Sequence, residues 1–107
     1  MHEFKNILLK PTDSLQKSIQ ILHEGGRRIA LVTDNDDKLI GTVTDGDIRR
    51  ALVQHFSMSI EIELVMNNNP VTAQNIDAES KVLEMMESQS LLHMPIIDEN
   101  GKVQSIY

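Results

Sequence analysis

A chain of 107 residues is long enough for one compact domain or for two small repeats sharing a core. With 40% hydrophobic and 24% charged residues it is too apolar for a disordered segment, and its net charge of −6 offers no basic face of the kind a nucleic-acid duplex requires. It has no cysteine, which excludes disulfides, thiolate metal sites and cysteine nucleophiles and agrees with a cytoplasmic location.

The N-terminus carries Glu3 and Lys5 and lacks the basic start and apolar run of a signal peptide. Its apolar runs, such as Ile7–Leu9 and Ile29–Val32, are far short of a membrane span. Ile7–Leu9 reads as a short strand closed by Pro11. Asp13 then predicts a helix N-cap, with Gln16 in the capping-box position and Leu15, Ile19 and Leu22 on one face. Gly25-Gly26 stops this helix. An aliphatic strand over Ile29–Thr33, a turn at Asp34–Asp37 and a second strand over Leu39–Thr44 follow.

From Asp47 to about His55 the spacing of Ile48, Ala51 and Leu52 predicts another helix. Ser57–Ser59 and Asn67–Pro70 read as a polar linker, with one turn around Ile62, Val65 and Met66. Beyond it Val71–Ala73 is a strand, and Asp77 caps a helix carrying Val82, Met85 and Met86. Met94–Ile97 and Val103–Tyr107 are strands joined through Asn100-Gly101, a hairpin-turn dipeptide.

This second half repeats the first. Sliding the chain by 64 residues lays Asp13 on Asp77, Lys17 on Lys81, Asp34 on Asp98 and Lys38 on Lys102, with apolar positions falling on apolar positions between them. The expected organisation is a first repeat over residues 1–56, a linker over 57–69 and a second repeat over 70–107. Each is mixed α+β in the order strand, helix, strand, strand, and only the first copy has a closing helix. Tyr107 falls on the equivalent of Val43, so the second repeat is expected to be truncated and the chain to be a fragment of a longer protein.

The four histidines, His2, His23, His55 and His93, are scattered and predict surface or boundary positions, not a metal site. Asp34–Asp37 is no calcium loop, because its sixth and twelfth positions are Leu39 and Asp45 instead of Gly and Glu. No phosphate loop, dinucleotide fingerprint or nucleophile elbow occurs, so an enzyme is the least favoured reading. The stretch Gly41-Thr42-Val43-Thr44-Asp45-Gly46-Asp47-Ile48-Arg49-Arg50 carries chemistry of another kind. Thr44 offers a hydroxyl and Asp47 a carboxylate suited to a ribose diol, while Arg49 and Arg50 suit a phosphate. The plainer reading makes Asp47 an N-cap and the arginines a solvated helix face, and these residues alone do not choose between the two.

Gly41-Thr42-Val43-Thr44-Asp45-Gly46-Asp47 resembles the G-h-h-T-x-x-D motif of the CBS domain family, and Met94-Pro95-Ile96-Ile97-Asp98 resembles its apolar-Pro-apolar-apolar-Asp strand. The resemblance implies two repeats packed about a pseudo-twofold axis, with clefts for an adenosine nucleotide (AMP, ADP or ATP). It would place Thr44 near the phosphate, Asp47 on the ribose, Arg50 or Arg49 on the phosphate, and Ile7–Leu9 with Arg28, Ile29 and Ala30 as the wall around the base. Leu31 stands where the second copy has Pro95, and Ser105 replaces the expected Gly. A second site around Thr72, His93 and Met94 would lack its ribose anchor, leaving one nucleotide per chain.

A narrower likeness spans Gly41–Leu52 and Met66–Ala73 and resembles the CBS pair that precedes a sugar-phosphate nucleotidyltransferase domain; sugar-phosphate isomerases carry similar pairs. The resemblance thus implies a non-catalytic nucleotide sensor with a catalytic domain C-terminal to it in the parent chain. The alternative is a structural module that homodimerises without ligand.

Overall fold

The computed structural model describes residues 3–74 and 76–107. The chain folds as two three-stranded sheets, each with its own crossover helix. After a 3-10 turn at Lys5–Ile7, β1 (Leu8–Leu9) leads into α1 (Leu15–Gly25), β2 (Ile29–Thr33), β3 (Leu39–Thr44) and α2 (Asp45–Val53). A second 3-10 turn at Ile62–Leu64 precedes β4 (Ala73–Gln74), α3 (Glu79–Ser88), β5 (Pro95–Ile97) and β6 (Val103–Ile106). The sheet orders are β1-β2-β3 and β4-β5-β6. In each, the first two strands are parallel, which demands the intervening helix as a crossover.

The repeat is kept at the level of register. Leu9 pairs with Val32 as Ala73 pairs with Ile96. Val32 pairs with Gly41 and Thr33 with Leu39, as Ile96 pairs with Ser105 and Ile97 with Val103. Even the bulge recurs, between Val32 and Thr33 and between Ile96 and Ile97. The second sheet therefore copies the first at an offset of 64 residues.

β2 is buried along its whole length, and its period of two divides the core. Ala30 and Val32 face the interior of the first repeat, with Leu9, Leu15, Val43, Ile48 and Ile62. Ile29 and Leu31 face a second cluster with Ile7, Val103 and Ile106, which joins the repeats. Ala73, Val82, Met94 and Ile96 fill the second repeat. The hairpin turns of the two repeats meet directly, with Lys38 bridged to Lys102 and the Leu39 amide donating to the Gly101 carbonyl at 2.9 Å. This contact lies on the pseudo-twofold relation.

Several sequence expectations are corrected. The N-cap of α1 is Ser14, whose hydroxyl accepts from the Lys17 amide at 3.1 Å. Asp13 instead reaches back, its carboxylate accepting from the Lys10 amide at 2.8 Å, and it pins the strand exit rather than the helix start. Gln16 closes no capping box, since with Ser14 as the N-cap the box position falls on Lys17; the Gln16 backbone N–H donates to the Met58 carbonyl. Asp77 repeats the Asp13 arrangement on the Gln74 amide at 2.8 Å, and Ala78 is the N-cap of α3. The second helix of the first repeat begins at Asp45, two residues earlier than predicted, because Thr44 is its N-cap and Asp47 its third residue.

The segment read as a polar linker packs onto the first repeat. Ile62 is fully buried, its amide donates to the Asp13 carbonyl at 2.7 Å, and the Leu15 amide donates to the Ile60 carbonyl at 2.9 Å. Met66 and Asn67 continue along the free edge of β3, where Thr42 and Asn67 exchange both backbone hydrogen bonds. His23, His55 and His93 lie on separate parts of the fold, whereas His2 is outside the described residues. Among the described residues no group of three or more histidines and carboxylates is placed to hold a metal ion, and no helix is long and apolar enough to cross a membrane.

Candidate functional site

The end of β3 is where the candidate residues converge. Antiparallel pairing sets Ile29 opposite Thr44, so Arg28 and Ile29 enter β2 beside the point where β3 leaves for α2. Thr44 ends the strand in an extended conformation and caps the helix, and Asp47 folds back onto it as the other half of a capping box. One Asp47 carboxylate oxygen, Oδ2, accepts from the Thr44 amide at 2.9 Å and from the Thr44 hydroxyl at 3.1 Å. The other, Oδ1, accepts from Nη2 of Arg50 one helical turn on. Asp47 is thus a buried carboxylate, 7% exposed, accepting from Thr44 and Arg50, whereas the Arg50 side chain is 68% exposed.

These residues line a cleft of about 360 Å³ between the repeats. The first repeat contributes Arg28, Ile29, Thr42, Thr44, Asp47 and Arg50; Asn67 and Pro70 form an edge; Val71, Ser90, Leu91, Leu92, His93 and Pro95 close it from the second repeat. Two arginines and a histidine therefore share the cleft with one buried carboxylate, and the opposite wall is largely apolar. Arg28 reaches this place through a left-handed backbone conformation (φ 59°), as does Ser90 (φ 55°) across the cleft.

Of the residues singled out in the sequence, Arg28, Ile29, Thr44, Asp47 and Arg50 come together here. Ile7, Leu9 and Ala30 do not. β1 lies on the far side of β2 from β3, so Leu9 and Ala30 are absorbed in the core of the first repeat and Ile7 in the cluster between repeats. Arg49 is exposed, on α2 outside the cleft lining. His93, assigned by sequence to a separate second site, lines the same cleft as Asp47. Met94 is buried in the core of the second repeat, and Thr72 stands outside the lining.

The wall facing Asp47 is thus contributed by the other repeat. Sequence reasoning assigned wall and anchor to one repeat and missed Pro70, Val71, Ser90, Leu91, Leu92 and Pro95. The 64-residue offset held a usable signal, because Arg28 and Ile29 are the equivalents of Leu92 and His93, and all four line the cleft.

The fold and this cleft define a class: a tandem-repeat α+β module whose two halves meet around a shared crevice. Residues 3–54 match the CBS domain family, and that part of the chain is a CBS domain. The whole chain has the fold of a CBS pair. It aligns with the CBS domain pair of protein MJ0100, in complex with 5′-methylthioadenosine and S-adenosyl-L-methionine, at a TM-score of 0.83 and 25% identity, covering 98% of this chain and 86% of that one. The CBS domain protein PAE2072 from Pyrobaculum aerophilum, complexed with AMP, aligns at a TM-score of 0.82 and 20% identity, over 94% of this chain and 78% of that one.

Among curated proteins, arabinose 5-phosphate isomerase KdsD of Francisella tularensis subsp. tularensis is 30% identical over 100 residues, covering 92% of this chain and 30% of the relative. Homoserine O-acetyltransferases are also among the relatives, and the chain spans 18 to 19% of their length.

Proposed function

We propose that this chain is a regulatory module that binds an adenosine nucleotide, AMP, ADP or ATP, in the cleft beside Thr44 and Asp47. The observation that carries the reading is the buried Asp47 carboxylate, held among donors and facing an apolar wall from the second repeat. A carboxylate so placed suits a ribose diol, the apolar wall suits a base, and Arg28 and Arg50 suit phosphate oxygens. The adenosine ligands of the MJ0100 pair and of PAE2072 support the same ligand class.

Asp47→Asn keeps an oxygen for the Thr44 amide and removes the charge. Losing charge-assisted bonds of about 1.5–3 kcal/mol predicts an AMP affinity lower by on the order of 10- to 150-fold. Calorimetric titration of both proteins with AMP tests this, and equal affinities would remove Asp47 from the site.

On this reading the module spans a first repeat at 1–56, the packed segment at 57–69 and a second repeat at 70–107, and acts in the cytoplasm; its cover of only 30% of the isomerase relative supports a place in a longer protein. Occupancy would shift an attached catalytic domain only through different affinities for its two states. The isomerase relative favours a sugar-phosphate isomerase as that partner over a nucleotidyltransferase. A second reading, association of two copies without ligand, draws on the exposed Leu52, Val53 and Phe56 around the end of α2. A sedimentation mass that stays that of a monomer at every concentration would count against it.

A further inference from the structure

We infer that Arg50 is a displaceable latch on Asp47, and that it makes the cleft select nucleotides bearing a phosphate over bare nucleosides. The inference rests on the nucleotide reading above. The two Asp47 oxygens have different duties. Oδ2 holds the amide and hydroxyl of Thr44, and with them the start of α2. Oδ1 has no such structural duty, and Arg50 Nη2 occupies it.

With Oδ2 already taken by two donors, a ribose diol must use Oδ1, where its two hydroxyls compete with the guanidinium. The exchange is open to Arg50, whose side chain is 68% exposed and lies along the cleft wall, but closed to Asp47, which is 7% exposed and fixed by Thr44. A nucleoside breaks the ion pair and offers the released guanidinium nothing in return. A nucleotide replaces the lost carboxylate with a phosphate, for which the planar fork of arginine is suited. The same side chain thus opposes the sugar and rewards the phosphate, and both effects favour the phosphorylated ligand.

The test is calorimetric titration of the chain and of Arg50→Ala with AMP and with adenosine, alongside Asp47→Asn. Arg50 lies on the exposed face of a helix, so the alanine variant keeps the fold, which circular dichroism verifies. Removing an ion pair with one solvent-exposed partner should tighten adenosine binding by about twofold to fivefold. AMP binding should weaken, so that the AMP preference of the unmodified chain collapses towards parity.

Adenosine binding that is unchanged or weaker in Arg50→Ala, while AMP binds the unmodified chain and Asp47→Asn impairs it, would overturn the latch and leave the nucleotide site standing. No binding of either ligand to the unmodified chain would overturn the nucleotide site itself and the latch with it.

Discussion

Asp37 and Gly101 occupy the same left-handed turn position 64 residues apart, with φ of 63° and 83°. Each follows an aspartate that organises its turn. Asp34 Oδ1 accepts from the amides of Asp36 and Lys38 at 2.8 and 3.0 Å, and Asp98 Oδ1 from those of Asn100 and Lys102 at 2.8 and 2.9 Å. The carbonyls of Asp37 and Gly101 then accept from Val103 and Leu39, respectively, of the opposite repeat. A local turn, written twice, thus adds a backbone contact to the apolar cluster that joins the halves.

Gly101→Ala should therefore destabilise the whole chain. A Cβ at this position meets no atom within 4 Å, so the cost is purely that of a left-handed backbone, about 1–2 kcal/mol. Urea unfolding followed by circular dichroism should show a lower midpoint in a single transition. Asp37→Gly, which relaxes the equivalent position, should not share this loss. Two separated transitions would mean that the turn contact does not couple the repeats.

Gly41→Ala should loosen the edge of the first sheet. A Cβ there would lie 2.3 Å from Met66 Sδ and 3.0 Å from the Asn67 carbonyl oxygen. The thioether can swing away, but the carbonyl is held by the Thr42 amide at 3.0 Å. The expected cost is about 1–3 kcal/mol, with faster hydrogen exchange at the Thr42 and Asn67 amides. Because Asn67 lines the cleft, AMP affinity should fall as well.

Ile62→Ala should cost about 2–5 kcal/mol, the range for emptying a full side-chain volume in a core. Ile62 is wholly buried although it lies outside both sheets. Leu64→Ala, two residues on and 66% exposed, should stay within about 0.5 kcal/mol of the parent chain. Thermal unfolding of the two variants makes the comparison. Equal effects would mean that the segment after α2 is no part of the folded core.

The repeat, the strands and the turns were legible in the sequence because they depend on order along the chain. Register follows from turn residues such as Asp34 and Gly101, which are local features. The helix starts were legible only in part. Asp13 and Ser14 are both good caps, and their neighbours decided which one reached forward. Thr44-Asp45-Gly46-Asp47 did contain a capping-box spacing, but the attraction of Asp47 as a first helical residue hid it.

The composition of the cleft was the least legible part. Asp47 and Arg28 come from one repeat and His93 from the other. Their meeting depends on how Ile7, Ile29, Leu31, Val103 and Ile106 pack the repeats together. That packing has no signature in any single stretch of chain. Ile62 was hidden for a related reason, because its polar neighbours outweigh one apolar residue whose burial is tertiary.

Asp77 ties the stability of the second repeat to pH. The Gln74 amide, donating at 2.8 Å, holds its carboxyl below the usual carboxylate range, and Lys81 at 3.2 Å acts in the same direction, while partial desolvation opposes both. With the folded value lowered, the unfolded chain binds more protons between that value and the ordinary one of about 3.9, so stability rises with pH through this window. The contribution is fully present above the ordinary value and is lost as pH falls through the lowered one. Asp77→Asn keeps an oxygen for Gln74 but cannot titrate. Its melting temperature should fall short of the parent at neutral pH, and the gap should close on acidification below about pH 4. A gap of constant size down to pH 2.5 would show that the carboxylate holds the turn through its shape and not its charge.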